Sequence, residues 1–521
     1  METTLLPTRT DFVTILPELV LVVGGMILLV VAMLRTRAVL LSAVVHAVTM
    51  VAGLAALLFT WQQVASERGL PFLVTVGDAE QAQQMLSFSG LMVADGLALG
   101  FKALMLLGGL LVALLAARYG DRFRNPAEFH ALLVFSTAAS LFLAGAADLL
   151  MIYLSLEFLS LGSYVLAGYL KYQPRSSEAA IKYFLYGAIT AAVMLYGMSL
   201  LYGLTGATNL YPVAAAQREV SVGTQLAAAG GEAHPAILLA AALVLVGVGF
   251  KAAIVPFHQW VPDVYDGSPT PVMAWLSVVS KAAGFAVFIR VFISLFPGTE
   301  WVEPLAVLAA LTMLLPNLAA IPQRSIKRLL AYSSVAHAGY VMMGIVAWGR
   351  MKGLGQELTP WQVYGAFVYL ITYVFMNLGA LAVVLAFYSA NRTHEIDAYN
   401  GLAQRSPVLA WLLFFFLLSL AGLPPTAGFV GKFLLLGAAI MAPGLWWLAV
   451  VAFVATVISA YYYWRVVQAM FLRPAKQETP MPPGDGGTRV VLAAAVAGTA
   501  LIFISAGTLL TFIQGTLPNL Q

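Results

Sequence analysis

The 521-residue chain contains no cysteine. Disulfides, thiolate-held metals and iron–sulfur ligation within this chain are therefore excluded. Charge is scarce too: Asp, Glu, Lys and Arg make up 10% of residues, where soluble domains carry about a quarter. Its six histidines are scattered, and neither a GxxxxGK(S/T) loop nor an HExxH pair occurs. No phosphate cradle, metal centre or cofactor site is expected in the chain. Gly247 and Gly249 form a GxG, but inside an apolar run and without a strand–turn–helix frame, where glycine serves packing.

What fills the chain instead is apolar sequence, 61% hydrophobic. A membrane-crossing helix needs roughly 20 apolar residues, and the chain offers about fourteen such runs, the first near 13–35 and the last near 488–513. This predicts an all-α polytopic membrane protein. The first run has no basic n-region before it, so it is expected to stay as a span rather than be cleaved as a signal peptide. With Arg35 and Arg37 placed in the cytoplasm, that side also collects Arg118, Arg122, Arg124, Lys171, Arg175, Lys182, Arg324, Lys327, Arg328, Arg392, Arg405, Arg473, Lys476 and Arg489. The other side holds Arg9, Arg68, Arg218, Arg350 and Lys352. By the positive-inside rule both termini lie outside the cytoplasm. The basic loops report topology; nucleic acid is not an expected partner, and the lipid bilayer is.

Six basic residues remain inside spans: Lys102, Lys251, Lys281, Arg290, Lys432 and Arg465. Of their acidic company, Glu18, Asp95, Asp148 and Glu157, only Glu157 reads as deep in a span. Glu18 stands near a helix start, as a partner of the helix dipole, and Arg290 is expected to snorkel to the headgroups.

Lys251 and Lys432 are 181 positions apart, and each belongs to a span interrupted by proline, Pro256 in one and Pro424–Pro425 in the other. About the same shift carries Glu157 close to His337, and Lys281 onto Tyr462. The repeating unit holds five spans, so its second copy crosses the membrane upside down. Inverted repeats with paired broken helices are the architecture of ion-coupled transporters. The expected organisation is a three-helix segment over 1–128, a first five-helix repeat over 129–300, an inverted second repeat over 301–475, and a C-terminal helix within 476–521.

The breaks have chemical consequences. Pro256 leaves the Ala252 carbonyl without its helical donor; Pro424 and Pro425 do the same to Leu420 and Ala421, and Thr426 is placed to cap the half-helix that follows. A freed polar atom in a membrane needs water or a side chain. A buried lysine whose charge is held by a nearby carboxylate is switchable, so Glu157 facing Lys251 would make a proton-holding pair. Lys281 lies about halfway along the helix that closes the first repeat, expected to be unbroken, with Ala282, Ala283 and Gly284 leaving room for water or a close helix. His337 is a candidate relay; His258, two residues past Pro256, is a weaker one. Glu178 and Lys182 stand i,i+4 with the acid first, either a simple interfacial pair or a site of proton intake.

Five ordered stretches, "LSLEFLSLGSYVLAGY", "SSEAAIKYFLYG", "GFKAAIVPFHQWVPDVYDGSPTPVMAWLSVVSKAAGFA", "KRLLAYSSVAHAGY" and "LSLAGLPPTAGFVGKF", closely resemble the N-type antiporter-like membrane subunits of bacterial respiratory complex I, the NADH-quinone oxidoreductase, whose plastid-type counterpart is the B subunit. The resemblance spans essentially the whole chain. It implies a proton-translocating subunit with Glu157, Lys251, Lys281 and Lys432 as the transport residues and Glu178 and Lys182 as a further acid–base pair. M-type subunits carry glutamate at the position of Lys432, and L-type subunits continue into a long lateral helix that does not follow here. Implied partners are the M-, K- and L-type and small membrane subunits, with FMN, iron–sulfur clusters, NADH (or ferredoxin) and quinone handled by other subunits. The implied site is the bacterial inner membrane, or a thylakoid-type membrane for a plastid-type complex. The competing reading is a subunit of a multisubunit sodium/proton antiporter, which would share the lysines. A quinone-reducing enzyme is disfavoured by the absence of cofactor ligation, and a passive scaffold by four deep ionisable residues.

Overall fold

The computed structural model describes residues 7–508 apart from 36, 69–85, 118, 120–122, 124, 213–220, 229–234, 297–298 and 476–483. Arg118, Arg122, Arg124, Arg218 and Lys476 lie outside the described residues, as does much of the polar stretches 62–90 and 206–235 and of the segment 476–521.

Among the described residues, thirteen helices are long and apolar enough to cross a membrane. A fourteenth crossing is made by two shorter helices in series. In chain order they are α1 (Leu16–Leu34), α2 (Val39–Arg68), α3 (Gly96–Ala116), α4 (Pro126–Gly145), α5 (Leu149–Ala167), α6 (Pro174–Thr205), α7 (Pro235–Ala252), α8 (Thr270–Ile293), α9 (Val302–Ala320), α10 (Ile326–Gly353), α11 (Pro360–Asn391), α12 (Pro407–Ala421, resumed as Ala427–Met441), α13 (Trp446–Leu472) and α14 (Gly486–Ile504). The protein is an integral, multi-pass membrane protein with an antiporter-like helical fold, and two of its helices are broken at proline. α7 stops at Ala252 and the chain resumes helix only at Val261–Gly267.

Burial sorts the helices. Every residue in the apolar window of α8 is buried and 94% of that of α10, against 28% for α14. α8, α10 and α11 thus form the middle of the bundle, and they are where lysine and histidine can be kept from lipid. Small residues set the approach distances, as is usual where helices pack in a membrane. At Gly284 a Cβ would lie 2.8 Å from the Ala252 nitrogen and 2.9 Å from the Lys251 carbonyl carbon. Glycine there lets α8 press against the end of α7, so the small residues beside Lys281 serve a close helix.

α8 is not a regular helix. π-helical turns occupy Leu276–Ser280, directly before Lys281, and Arg290–Leu295. The helix is unbroken, as expected, but a single inserted residue per turn leaves no proline or glycine signature, so the sequence does not announce these turns; they recur at functional positions.

Two buried ion pairs hold the N-terminal helices and correct the sequence reading. Arg290 does not snorkel: it is fully buried, with both terminal nitrogens 2.9 Å from the Asp95 carboxylate and further bonds to the Tyr211 hydroxyl at 3.0 Å and the Ala144 carbonyl at 3.1 Å. Asp95 is the N-cap of α3 itself, its Oδ1 accepting from the Ala98 amide at 2.8 Å, so the guanidinium finds an anion there. Glu18, in the first turn of α1, is fully buried and 2.6 Å from Lys102. Glu18 thus stands at a helix start, as expected, while Glu157 lies midway along α5 and is only half-buried. Removing one partner of such a pair leaves an uncompensated charge, a cost of about 3–5 kcal/mol. Asp95→Ala is therefore expected to lower the melting temperature of the purified protein markedly, with Asp95→Asn retaining part of the loss because it can still accept from Arg290.

Candidate functional site

The broken helices are the natural starting point, because each must satisfy the backbone atoms that proline orphans. In α12 the Ala421 carbonyl accepts from Lys432 Nζ at 3.0 Å, so the lysine itself fills the gap. Gly422, at φ +78°, allows this: a Cβ there would come within 2.5 Å of the Lys432 side chain. Thr426 occupies the N-cap position of the resumed helix, but its hydroxyl turns back to the Leu423 carbonyl at 2.7 Å, and the Gly428 amide is taken by Ser419 Oγ at 3.2 Å. In α7 the solution differs. Trp260 Nε1 donates to the Phe250 carbonyl at 3.2 Å and the Val255 amide to Thr312 Oγ1 of α9 at 3.0 Å. Lys251 is thereby left available and reaches Ser160 Oγ of α5 at 3.2 Å.

Glu157 lies one turn before Ser160 on α5. It is half-buried, within electrostatic range of Lys251, and the two form no ion pair. One carboxylate oxygen, Oε1, is buried without a hydrogen-bond partner. Glu157 and Lys251 therefore act on one another through space, and the hydrogen bond of Lys251 goes to Ser160 instead. Ser160 sits three residues on from Glu157, a same-face spacing visible in "LEFLS", and this spacing was the signal available for a hydroxyl beside Lys251.

Lys281, Lys251 and Lys432 are each under 5% exposed. Lys281 Nζ donates to both the carbonyl and the hydroxyl of Ser334 on α10 and lies 5.9 Å from the Tyr373 ring centre. One turn further along α10, His337 Nδ1 shares a hydrogen bond with the Tyr369 hydroxyl, and both Lys281 and Lys432 act on it electrostatically. Lys432 also reaches Thr456 Oγ1 at 3.4 Å, which is 2.8 Å from the Tyr340 hydroxyl, and its ammonium stands 4.5 Å from the Tyr340 ring centre. Between Lys251 and Lys281, the Tyr183 hydroxyl takes part with Ser163, at 3.4 Å, and with Ser280. The titratable groups do not touch one another. Each lysine and His337 is bonded instead to a hydroxyl, and a hydroxyl both donates and accepts, so such a group can pass a proton without holding a charge.

Glu178 and Lys182 do pair, at 2.6 Å, but Lys182 is shared with Asp263 at 2.7 Å, and Asp263 also holds Arg328 at 2.7 Å. The sequence reading missed the last two, which come from distant segments. Burial pushes the Asp263 carboxyl up, while the hydrogen bonds from Lys182 and Arg328 outweigh it and hold the group below the ordinary carboxylate range. A depressed carboxylate contributes stability above the unfolded pKa and loses it as pH falls through the folded one. This network, tying α6, the segment after α7 and α10, is therefore intact at neutral pH and fails only in strong acid. His258 is half-buried at the rim of the α7 break, where no side-chain hydrogen bond links it to the lysines.

The transmembrane family described as NADH:quinone oxidoreductase/Mrp antiporter matches residues 146–459. The chain belongs to that family. Within it, the NAD(P)H-quinone oxidoreductase subunit 2 of Nostoc punctiforme is 41% identical over 448 residues, covering 83% of this chain and 80% of the relative. The NADH-quinone oxidoreductase subunit N of Desulfitobacterium hafniense is 42% identical over 394 residues, 74% of this chain and 77% of the relative. Among solved structures, a chain of respiratory complex I from Thermus thermophilus with bound aureothin superposes with a TM-score of 0.74 at 34% identity, covering 95% of this chain and 98% of that one. The family description includes Mrp antiporters, but these relatives carry oxidoreductase names.

Proposed function

We propose that the chain is the N-type, proton-translocating membrane-arm subunit of an NADH- or ferredoxin-driven quinone oxidoreductase, and that it moves protons along the line Glu157, Lys251, Lys281, His337 and Lys432. The observation that carries this reading is the set of buried lysines and His337, each bonded to a hydroxyl, distributed over both proposed repeats. A proton step needs hydrogen-bond reach or one bridging water, and each lysine and His337 has a hydroxyl within that reach. A lysine that starts charged can give its proton up when a neighbouring charge changes, and moving one charge across 100 mV is worth about 2.3 kcal/mol, within what such coupled shifts supply. Glu157, with an unpartnered carboxylate oxygen, is the group nearest Lys251 able to take up or lose the compensating charge. Glu178 and Lys182 form an outer charge cluster at the basic face, where they guide proton intake; His258 plays a minor part beside the α7 break.

In this reading 129–300 and 301–475 are the two transport halves, flanked by 1–128 and 476–521. The chain binds no redox group of its own. FMN, iron–sulfur clusters and the NADH and quinone sites belong to partner subunits, with M-, K- and L-type chains as membrane neighbours. The sodium/proton antiporter reading shares the lysines, but the relatives at 41–42% identity bear oxidoreductase names, which favours the redox-coupled assembly. The test is gentle detergent extraction: several hydrophobic partners and a flavin- and iron–sulfur-bearing arm are expected to co-purify, and reconstituted vesicles should acidify their lumen during quinone reduction. Recovery of an active, isolated monomer would remove the proposal.

A further inference from the structure

Away from the transport line, on the face where the positive-inside rule places the cytoplasm, a cavity of about 500 Å³ opens between the starts of α6 and α10 and the end of α11. Its lining carries five cations, Arg175, Arg324, Lys327, Arg328 and Arg392, against two carboxylates, Asp266 and Glu395. Asp266 is already held by Ser325 Oγ at 2.7 Å. Arg328 is engaged by Asp263. The guanidiniums of Arg175, Arg324 and Arg392 are exposed and form no ion pair among the described residues.

Two further features point to an anion. α6 and α10, of 32 and 28 residues, both begin at this cavity, and neither has an acidic residue in its first turn. α10 instead places Lys327 and Arg328 there, the wrong sign for the positive end of a helix dipole. Lys327 is 1% exposed and donates to the carbonyls of Asp266 at 3.0 Å and Ser268 at 2.7 Å. An ammonium has three donors, so one remains at the cavity wall. A concentration of like charge, unfavourable as it stands, becomes favourable when an oxyanion enters, since guanidiniums bind phosphate oxygens in forked pairs.

We propose that this cavity is a phosphate-binding site, taking either the phosphodiester headgroup of an anionic lipid or a free phosphate. Its volume suits a small ligand, and basic pockets between helices on the cytoplasmic side are where acidic headgroups are recognised. None of the lining residues belongs to the line Glu157, Lys251, Lys281, His337 and Lys432.

The test uses the purified, delipidated assembly containing the chain, wild type and Arg175→Gln/Arg324→Gln/Arg392→Gln. One arm titrates cardiolipin and counts bound lipid by native mass spectrometry; the other measures radiolabelled orthophosphate by equilibrium dialysis. The triple variant is expected to bind the effective probe about tenfold or more weakly, three charge-assisted contacts being lost. Binding of cardiolipin alone assigns a headgroup, and displacement of cardiolipin by orthophosphate assigns the bare anion. If the variant fails to assemble, the wild-type complex suffices: cardiolipin or orthophosphate should protect Arg175 and Arg392 from phenylglyoxal. Equal binding by wild type and variant in both arms, or equal modification with and without both probes, overturns the proposal.

Discussion

Complexes carrying Lys281→Arg are expected to pump protons about 10²-fold more slowly than wild type, with quinone reduction coupled to pumping falling alongside, although subunit content stays normal. The size is the lower end of what losing a proton-transfer group costs. Lys281 donates both of its recorded hydrogen bonds to a single residue, Ser334, and stands where α8 crosses toward α10 and His337. Arginine keeps the charge and the donors but does not release its proton under any physiological condition. If the position matters as a fixed charge, Lys281→Arg should work and Lys281→Ala should fail. If it matters as a station, both should fail. The bulkier guanidinium meets a tight setting, so assembly must be checked by subunit content and by the melting temperature of the complex. Normal pumping by Lys281→Arg would reduce Lys281 to an electrostatic role and leave the line from Lys251 to His337 without its middle.

The residues that carry charge were legible in the sequence because they violate its dominant pattern. A lysine in an apolar run stands out, and so does a proline beside it; the pairing of Lys251 with Pro256 and of Lys432 with Pro424–Pro425 exposed both the breaks and the repeat. What escaped was everything that looks ordinary in a membrane helix. Ser160, Ser334, Tyr183, Tyr369 and Thr456 are common in such helices, and only three-dimensional proximity shows what they bond to. Arg290 was misread for a related reason: its partner Asp95 is 195 residues away, and no local spacing reports a contact of that range. Lys327 was read as a loop charge because it follows a turn, yet the first turn of α10 is folded under the segment that starts α8, which buries it. Sequence located the costs of burial; only the fold shows what offsets them.

A double-mutant cycle on Glu157 and Lys251 gives the second large effect. Glu157→Gln and Lys251→Met are each expected to reduce pumping strongly, and the double variant should lose less than the product of the two. Residues that act on one another typically show coupling of about 0.5–3 kcal/mol, which spans a few-fold to about a hundredfold in rate. The geometry sets where in that range the coupling should fall. No ion pair joins the two side chains, and Lys251 is bonded instead to Ser160, a turn beyond Glu157 on the same helix. The interaction is therefore through space, with Ser160 fixing where the ammonium sits, so it should lie in the lower half. Ser160→Ala separates the two contributions. It removes the hydrogen bond to Lys251 but leaves both charges, so it should slow pumping by less than either charge variant. In the Ser160→Ala background the Glu157–Lys251 coupling should shrink without vanishing. Initial rates of lumen acidification in proteoliposomes, normalised to quinone reduction by the same vesicles, supply every corner of the cycle. Strict additivity in both backgrounds would mean that Glu157 and Lys251 work in separate steps, and the carboxylate would then have no part in setting the proton affinity of Lys251.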